Sequence, residues 1–160
     1  MSHARSRLTR IVRFYTTYHP YFSILPRKEI ILARFQSQKL LPWAILAVAA
    51  GGSVQLQSLY NSLVDPVRRL AGDIYSHQSR GLEAVQALLL LCAWPFPYQQ
   101  TINDPSPTYA AQATNIALQI GLHRPDFYSD FEYGPRKSEN LELERERAWY
   151  GCFIISHAYV

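Results

Sequence analysis

The sequence predicts an all-α protein, a multi-helix bundle, and three observations support this fold class. Apolar residues recur at steps of three and four along most of the 160 residues, which is the spacing of one face of a helix. Proline and glycine fall between these segments, where they end one helix and precede the next. One segment, residues 82–94, is apolar on nearly every side of a helical wheel, which is typical of a helix at the centre of a bundle.

The first helix is predicted from residue 8 to the His19-Pro20 pair, because a residue before proline is pushed out of the helical region. Arginines occupy the side opposite its apolar stripe, and we interpret them as a solvated face; contact with nucleic-acid phosphates is the alternative. The stripe consists of Leu8, Ile11, Val12, Tyr15 and Tyr18, and the arginines are Arg5, Arg7, Arg10 and Arg13.

The next elements are shorter. Residues 21–25 are predicted to form an extended connection to Pro26, followed by a short helix over residues 28–35. Pro42 is well placed as the first residue of a helix that reaches Ala50, and Gly51-Gly52 end that helix. Residues 54–76 are either two helices, with Asp65 capping the second, or one helix kinked at Pro66.

The second half of the chain contains the central helix, over residues 82–94, and two further helices. A loop over residues 98–108 leads to a helix that Gly121 closes as a left-handed cap, and residues 124–138 are predicted to be a surface loop. The last helix begins at Ser138 or Glu139, with its glutamates near the positive end of the helix dipole. The predicted pairs are Glu142–Arg145 and Glu144–Arg147, and the predicted core face is Leu141, Trp149, Cys152, Ile155 and Tyr159.

The last helix runs into apolar residues and reaches Val160 with no cap or polar tail. We therefore expect the chain to be the N-terminal part of a larger helical domain. On that expectation, the helices that would cover Trp149, Phe153 and Tyr159 are missing, and the exposed apolar patch favours self-association.

Charge divides the chain into two halves. Residues 1–80 carry eleven basic and three acidic side chains, a net charge of +8, whereas residues 81–160 carry five and nine, a net charge of −4. Such a division is typical of a protein with a charged partner, or of two halves of one fold that attract each other.

The sequence offers little catalytic or metal-binding chemistry. It has no Gly-rich phosphate loop, no nucleophile elbow and no His-Glu-x-x-His motif, so we predict no catalytic residue. Its five histidines and its two cysteines, Cys92 and Cys152, do not have metal-ligand spacing, so we predict no metal site. No apolar stretch reaches the roughly 20 residues of a membrane-spanning helix, so we expect no membrane partner.

Four stretches resemble, in this order, the middle homology region of fungal zinc-cluster transcription regulators, also called the fungal-specific transcription factor domain. They are residues 14–25 (FYTTYHPYFSIL), 82–94 (LEAVQALLLLCAW), 113–125 (ATNIALQIGLHRP) and 144–155 (ERERAWYGCFII). The second and third are the most specific, because a Leu-rich helix followed by a helix that ends in Gly-Leu-His-Arg is the family's usual signature. The motif residues expected in the core are Leu82, Val85, Leu88, Leu89, Ala113, Ala117, Gly121, Leu122, His123, Arg124, Trp149 and Phe153.

The resemblance implies a regulatory domain over residues 8–160, preceded by a polar tail over residues 1–7, in a nuclear protein that modulates RNA polymerase II transcription. In this family the domain restrains or licenses an attached activation segment, and a six-cysteine cluster that holds two zinc ions reads the promoter. With two cysteines the present sequence lacks that cluster. We therefore expect no cofactor in this chain and DNA contact only through the missing module. Ser156-His157 stands where family members often have an Asp-Arg pair.

The expected partners are the transcription machinery, a second copy of the chain and a small hydrophobic effector. The aromatic surplus, 13% of residues, motivates an effector bound between the helices at 82–92, 107–120 and 139–158. His123 and Arg124 could line such a pocket, although we interpret them as donors to the last carbonyls of the helix before them. Two other classes of protein stay open: an all-helical interaction module unrelated to transcription, and a truncated helical enzyme.

Overall fold

A computed structural model describes residues 2–35, 40–75, 81–126 and 139–159 of the chain. These residues contain seven α-helices and no β-strand, which confirms the all-α fold class. The helices are α1 (Ser2–Thr17), α2 (Lys28–Arg34), α3 (Leu40–Ala50), α4 (Gln57–Gly72), α5 (Leu82–Ala93), α6 (Ser106–Gln119) and α7 (Glu139–Ala158).

Helix α5 is the centre of the bundle, as its apolar sequence predicts. It packs against α3, α6 and α7, and every side chain from residue 84 to residue 92 is buried. A helix enclosed in this way has no solvent-facing side to make polar, which explains why its sequence lacks an amphipathic pattern. Among its motif residues, Val85, Leu88 and Leu89 are fully buried and Leu82 is half-buried.

Helix α1 is rotated relative to the predicted stripe. Ile11 and Phe14 are fully buried, whereas Leu8 and Val12 are exposed, so the prediction for those two residues was wrong. The helix instead turns Phe14 inward, where its ring packs against those of Tyr18 and Trp94, each 6.3 Å away between ring centroids. The helix also begins at Ser2, so residues 2–7 form its first turns.

Two side chains donate hydrogen bonds to the end of helix α3: Arg13 of α1, and Tyr18 just after α1. Arg13 Nε donates a hydrogen bond to the Ala49 carbonyl at 2.9 Å, and the Tyr18 hydroxyl donates one to the Gly51 carbonyl. Helix C-termini leave carbonyls without intrahelical donors, and these two side chains supply donors there. The prediction of a solvated arginine face on α1 is therefore wrong for Arg13, which binds the end of α3. Gly52, with φ +69°, ends the helix as predicted.

Of the two interpretations of residues 54–76, the structure supports a single helix through Pro66. It is one helix that continues through Pro66, so Asp65 does not cap a second helix. Pro66 and Ser62, whose carbonyl loses its usual donor, both lie on the exposed side, where water can hydrate that carbonyl. The buried side of α4 and the turn after it consists of Leu63, Val67, Ala71 and Ile74.

Helix α6 ends in the predicted glycine cap. Gly121 has φ +73°, its amide donates to the Leu118 carbonyl at 3.1 Å, and the Leu122 amide donates to the Ala117 carbonyl at 2.9 Å. These two bonds form a Schellman motif. The predicted core residues Ala113, Ala117 and Leu122 are buried. The helix begins at Ser106, inside the stretch predicted as a loop, where the Asp104 carboxylate accepts the Ser106 amide at 2.9 Å.

Helix α7 begins at Glu139, one of the two predicted starts. Cys152 and Ile155 are buried as predicted, and Trp149 is half-buried, but Phe153 is 62% exposed, so its prediction as a core residue was wrong. The buried side of the helix also contains Glu144, Arg145 and Ala148, and Phe153 lies outside this side. The predicted surface loop falls mainly on residues 127–138, which lie outside the described part of the chain.

Candidate regulatory site

A cluster of polar side chains, two buried and one half-buried, joins three helices at one point. Glu144 of α7 accepts hydrogen bonds from Arg34 of α2, with Nη1 to Oε1 at 2.8 Å and Nη2 to Oε2 at 3.4 Å. Gln86 of α5 donates a third bond from Nε2 to Glu144 Oε1 at 3.0 Å. Glu144 is 3% exposed and Gln86 is fully buried. We call Arg34, Gln86 and Glu144 the buried polar cluster.

The carboxylate of Glu144 is the electrostatic centre of this cluster. A buried charge is tolerated when it is paired and hydrogen-bonded, and the Arg34 fork with the Gln86 amide satisfies both conditions. Gln86 Nε2 also approaches the Ile24 carbonyl at 3.4 Å, while Gln86 Oε1 has no hydrogen-bond partner among the residues the structure describes. The cluster therefore links α2, α5 and α7 through one negative charge.

Tyr15 of α1 lies beside the cluster in the neutral form. Its hydroxyl donates to the Pro26 carbonyl at 2.6 Å. Burial raises the pKa of Tyr15, and the negative charges of Glu144 and Glu29 raise it further. The phenol thus stays a hydrogen-bond donor and fixes the chain just before α2.

The sequence did not reveal the cluster. We predicted that Glu144 pairs with Arg147 one turn along α7, whereas it pairs with Arg34, 110 residues away. A signal was present: Glu144 lies one turn before Ala148 and two turns before Cys152, on the side that is buried. Gln86 is likewise the one polar side chain of α5 beyond its first turn. A buried polar residue on each of two helices predicts that they bind each other or a third partner.

A shallow depression borders the cluster on the side of α2, α3 and α5. Its enclosed volume is about 10 Å³, room for about one water molecule, and its lining residues are Ile31, Arg34, Leu41, Pro42 and Glu83. Sites for small ligands usually enclose about 300–1,000 Å³. The depression is therefore smaller than a typical effector site in this conformation.

The predicted effector region between α5, α6 and α7 is filled by protein side chains. Leu88, Leu89, Ile116 and Cys152 are buried there. Polar contacts close its far end, where the Tyr159 hydroxyl donates to the Cys92 carbonyl at 2.8 Å. Binding of an effector between these helices stays a prediction, and it requires the helices to separate.

Trp94 and Trp149 pack in different places. Trp94 contacts Tyr18 edge-on, with ring centroids 5.4 Å apart, and lies among the aromatic residues of α1 and the segment after it. Trp149 lies 6.0 Å from the His123 ring. His123 and Arg124 are exposed, and the Ile120 carbonyl at the end of α6 accepts a hydrogen bond from Arg145 Nη2 at 2.8 Å. A side chain of α7 thus supplies a donor that we had assigned to His123 and Arg124.

The reactive side chains of the described residues are few. Cys92 and Cys152 are buried thiols, and burial raises the pKa of each to about 12, so neither is a thiolate near neutral pH. In the described ranges no group of three or more His, Cys, Asp or Glu side chains could hold a metal ion. Within those same ranges, no helix combines the length and the apolar character needed to cross a membrane.

Comparison with known proteins gives a consistent result. The family model of the fungal specific transcription factor domain matches residues 11–157. The chain is 33% identical to the SEF1 protein of Eremothecium gossypii over 147 residues, which is 91% of this chain and 14% of that protein. It is 30% identical to the transcriptional regulatory protein SEF1 of Candida albicans over 149 residues, which is 89% of this chain and 16% of that protein.

The SEF1 protein of Saccharomyces cerevisiae is 33% identical over 142 residues, covering 88% of this chain and 12% of that protein. The chain therefore spans less than a fifth of the length of these relatives. No solved structure matches it.

Proposed function

Because the chain belongs to the fungal-specific transcription factor domain family, we propose that it is a regulatory domain of a fungal transcription factor. It modulates RNA polymerase II transcription in the nucleus. Its two cysteines cannot form a six-cysteine zinc cluster, and on this proposal a separate zinc-cluster module contacts DNA while this chain carries no cofactor. It acts through other proteins rather than by catalysis.

The main support for this proposal is the length of chain that the family match covers. The match runs from residue 11 in α1 to residue 157 in α7, so it covers all seven helices of the described residues in whole or in part. The SEF1 relatives, which include a transcriptional regulatory protein, match about nine tenths of the chain. Helices α5 and α6, with the Gly121 cap, are the parts in which the sequence signature and the described geometry agree.

The buried polar cluster supplies a physical basis for regulation. Arg34 stands on the short helix α2 with 36% of its side chain exposed, while its partner Glu144 is inside the bundle. A binding event that moves α2 would leave the Glu144 carboxylate without its cation, which is strongly unfavourable in a buried position. On this proposal, an effector or a partner protein acts by making or breaking the contact between Arg34 and Glu144.

A small hydrophobic effector remains part of the proposal. The depression beside Arg34 is too small for a typical ligand, so binding would have to open the contact between α2 and α5. A thermal-shift screen of apolar metabolites would reveal such an effector as a rise in the melting temperature. A screen without any stabilising compound would remove the effector from the proposal.

A reporter assay in yeast tests the regulatory role. The chain is inserted between an unrelated DNA-binding module and an acidic activation segment, and the output is compared with the same fusion carrying an unrelated helical domain of equal length. We expect the chain to lower the output several-fold. Equal output from both fusions, with equal protein levels and a folded chain, would refute restraint of the activation segment.

A pull-down from a fungal nuclear extract separates the remaining classes of function. Recovery of transcription-machinery subunits supports the proposal. Recovery of unrelated proteins alone would favour a general interaction module, and turnover of a small substrate by the purified chain would favour an enzyme.

A further inference from the structure

Helix α2 is held on the bundle by few contacts. It has seven residues, Ile31 is the one that is buried, and it packs mainly against α1. A helix this short is not stable by itself, and its N-cap residue, Arg27, forms no side-chain cap hydrogen bond. The position of α2 therefore depends strongly on the hydrogen bonds of Arg34 to Glu144.

The buried carboxylate restricts which ligand can move α2. Glu144 belongs to α7 and is 3% exposed, so it stays inside the bundle when α2 moves. A buried charge that loses its partner is strongly destabilising. An uncharged ligand that displaced α2 would leave Glu144 in that state, whereas a ligand with a cationic group would take the place of the Arg34 guanidinium. The electrostatics of Glu144 therefore favour an organic cation.

An unpaired acceptor on Gln86 is a second, independent indication of a ligand. Gln86 is fully buried, and its Nε2 lies 3.0 Å from Glu144 Oε1 and 3.4 Å from the Ile24 carbonyl oxygen. Both neighbours are acceptors, so they fix the nitrogen on this side of the amide and Oε1 on the other. Among the described residues Oε1 has no donor, although a buried acceptor without a hydrogen bond is unfavourable. Beside Glu144 the bundle thus presents an acceptor that Arg34 does not bind.

The depression beside the cluster indicates the shape of the ligand. Two of its lining residues, Ile31 and Arg34, would move away with α2, and the space of their side chains would be added to the depression. The residues that stay are Leu41 and Pro42 of α3, both buried and apolar, and Glu83 of α5. The apolar pair fits a short hydrocarbon arm, and the Glu83 carboxylate disfavours an anionic group. The site therefore fits a cationic head on a short apolar arm, which is also the shape of the arginine side chain.

We propose that Glu144 and Gln86 form a binding site for a small organic cation, a guanidinium or ammonium group on a short apolar arm, and that Arg34 occupies this site until the ligand displaces it. The cationic head donates to the two Glu144 oxygens, as Arg34 does, and also to Gln86 Oε1, because the ligand is not tethered to α2. A guanidinium has five N–H donors in a planar fork, so two bind the carboxylate and others remain for the amide. The binding follows from the buried polar cluster, whereas its effect on transcription rests on the regulatory function proposed above.

Titration calorimetry with propylguanidinium, which reproduces the arginine side chain beyond Cα, tests the binding. We expect saturable binding to the wild-type chain and at least about 10-fold tighter binding to Arg34→Ala, because the competing side chain is gone. Propylurea has nearly the same shape without the charge and should bind neither protein. Absence of binding to Arg34→Ala, or equal binding of propylurea, would overturn the proposal. Binding to Arg34→Ala alone would refute the displacement of Arg34 in the native chain.

The double variant Arg34→Ala with Glu144→Gln is the matched control. It has no buried charge at the cluster and should fold, but it lacks the carboxylate that holds the cation. We therefore expect it to bind propylguanidinium at least about 30-fold more weakly than Arg34→Ala does. Propylguanidinium should also raise the melting temperature of Arg34→Ala, and should refold this variant if it is unfolded alone. An equal rise for the double variant would place the binding elsewhere and contradict the proposal.

Limited proteolysis with a glutamate-specific protease detects the movement of α2. Glu29 lies in α2, and propylguanidinium should speed cleavage after it several-fold in the wild-type chain, because the ligand takes the contact that holds the helix. Cleavage after Glu146 of α7 is the control and should not change. Unchanged cleavage after Glu29 at saturating propylguanidinium would refute displacement of α2. A chain that binds the cation but does not lower the reporter output would refute the regulatory function, and one that lowers the output without binding the cation would refute the site.

Discussion

Helices α5 and α7 both carry apolar side chains on more than one side, but their surroundings differ. Helix α5 is enclosed by α3, α6 and α7, and residues 84–92 are all buried. Helix α7 packs against α5 and α6 on one side, and on the other its apolar residues Leu143, Tyr150, Phe153 and Ile154 are exposed. An apolar side of a helix therefore predicts a contact, but the sequence does not say whether that contact lies within the described fold.

The two helices also differ in how they bury polar residues. Gln86 of α5 and Glu144 of α7 meet inside the bundle, where Glu144 binds a cation from α2. Phe153, which is apolar, faces outward on the same helix that buries Glu144. Position relative to neighbouring helices decides burial here more strongly than residue type.

The largest expected effect distinguishes the enclosed helix α5 from the exposed side of α7. Leu88→Ala should lower the free energy of unfolding by about 3–5 kcal/mol, because Leu88 is fully buried and the substitution leaves a cavity. Phe153→Ala removes a larger side chain from an exposed position, and we expect a change within about 0.5 kcal/mol. Urea unfolding at low protein concentration measures both. Equal losses would mean that Phe153 is covered within the monomer.

The second prediction concerns the polar contact between α5 and α7. Arg34→Met leaves the buried Glu144 carboxylate with the Gln86 amide as its described donor, and we expect a loss of about 2–4 kcal/mol. The loss is less than for a fully enclosed pair, because 36% of the Arg34 side chain is exposed.

The double variant Arg34→Met with Glu144→Leu is the control for this prediction. It removes both charges, and it should recover most of the lost stability. If the double variant were as unstable as the sum of two single losses, the buried charge would not be the cause.

The sequence predicted the elements of the fold well because their signals are local. The periodicity, the prolines and the Gly121 cap each depend on neighbouring residues, and the central position of α5 follows from its composition. The predictions were wrong where a contact between residues far apart in the sequence determines the partner of a side chain. Glu144 pairs with Arg34 rather than with Arg147, and Arg13 binds the end of α3 rather than solvent.

The candidate site was predictable only in part for the same reason. Two polar positions, Gln86 and Glu144, were visible on buried helix faces, but the helix that supplies their cation lies far away in sequence. The stripe of α1 was also misplaced, because Phe14 packs against Trp94, a residue from another element. The exposure of Phe153 could not be predicted from α7 alone, because it depends on which side of α7 packs against α5 and α6.

The third prediction uses a close contact between α5 and α7 at Gly151. A Cβ atom on Gly151 would lie 2.9 Å from Leu89 Cδ1 and 3.0 Å from Ile24 Cγ2, so Gly151→Val should lower the free energy of unfolding by about 1–3 kcal/mol. Gly72→Ala is the matched control at the end of α4, where a Cβ atom meets no neighbour within 4 Å. It should stabilise the protein by about 0.5–1 kcal/mol. Chemical denaturation compares the two, and a neutral Gly151→Val would show that α5 and α7 are loosely packed.

The smallest expected effect is a pH dependence from His19, which anchors the segment packed against Gly151. His19 Nε2 lies 3.2 Å from the Leu25 carbonyl oxygen, and Ile24 of the same segment contacts the α5–α7 crossing. Burial lowers the pKa of His19 from its ordinary value of 6.5, and the positive charge of Arg147 lowers it further, although the bond to Leu25 opposes this shift.

A lowered pKa in the fold means that the unfolded chain binds the proton more readily. The contribution of His19 to stability is therefore present above pH 6.5 and is lost as the pH falls through the folded pKa below that value. His19→Gln keeps a donor for the Leu25 carbonyl and does not titrate, so its unfolding free energy should fall less steeply on acidification. Urea unfolding across the acidic range gives both slopes. Identical slopes would mean that the segment between α1 and α2 does not sense the charge of His19.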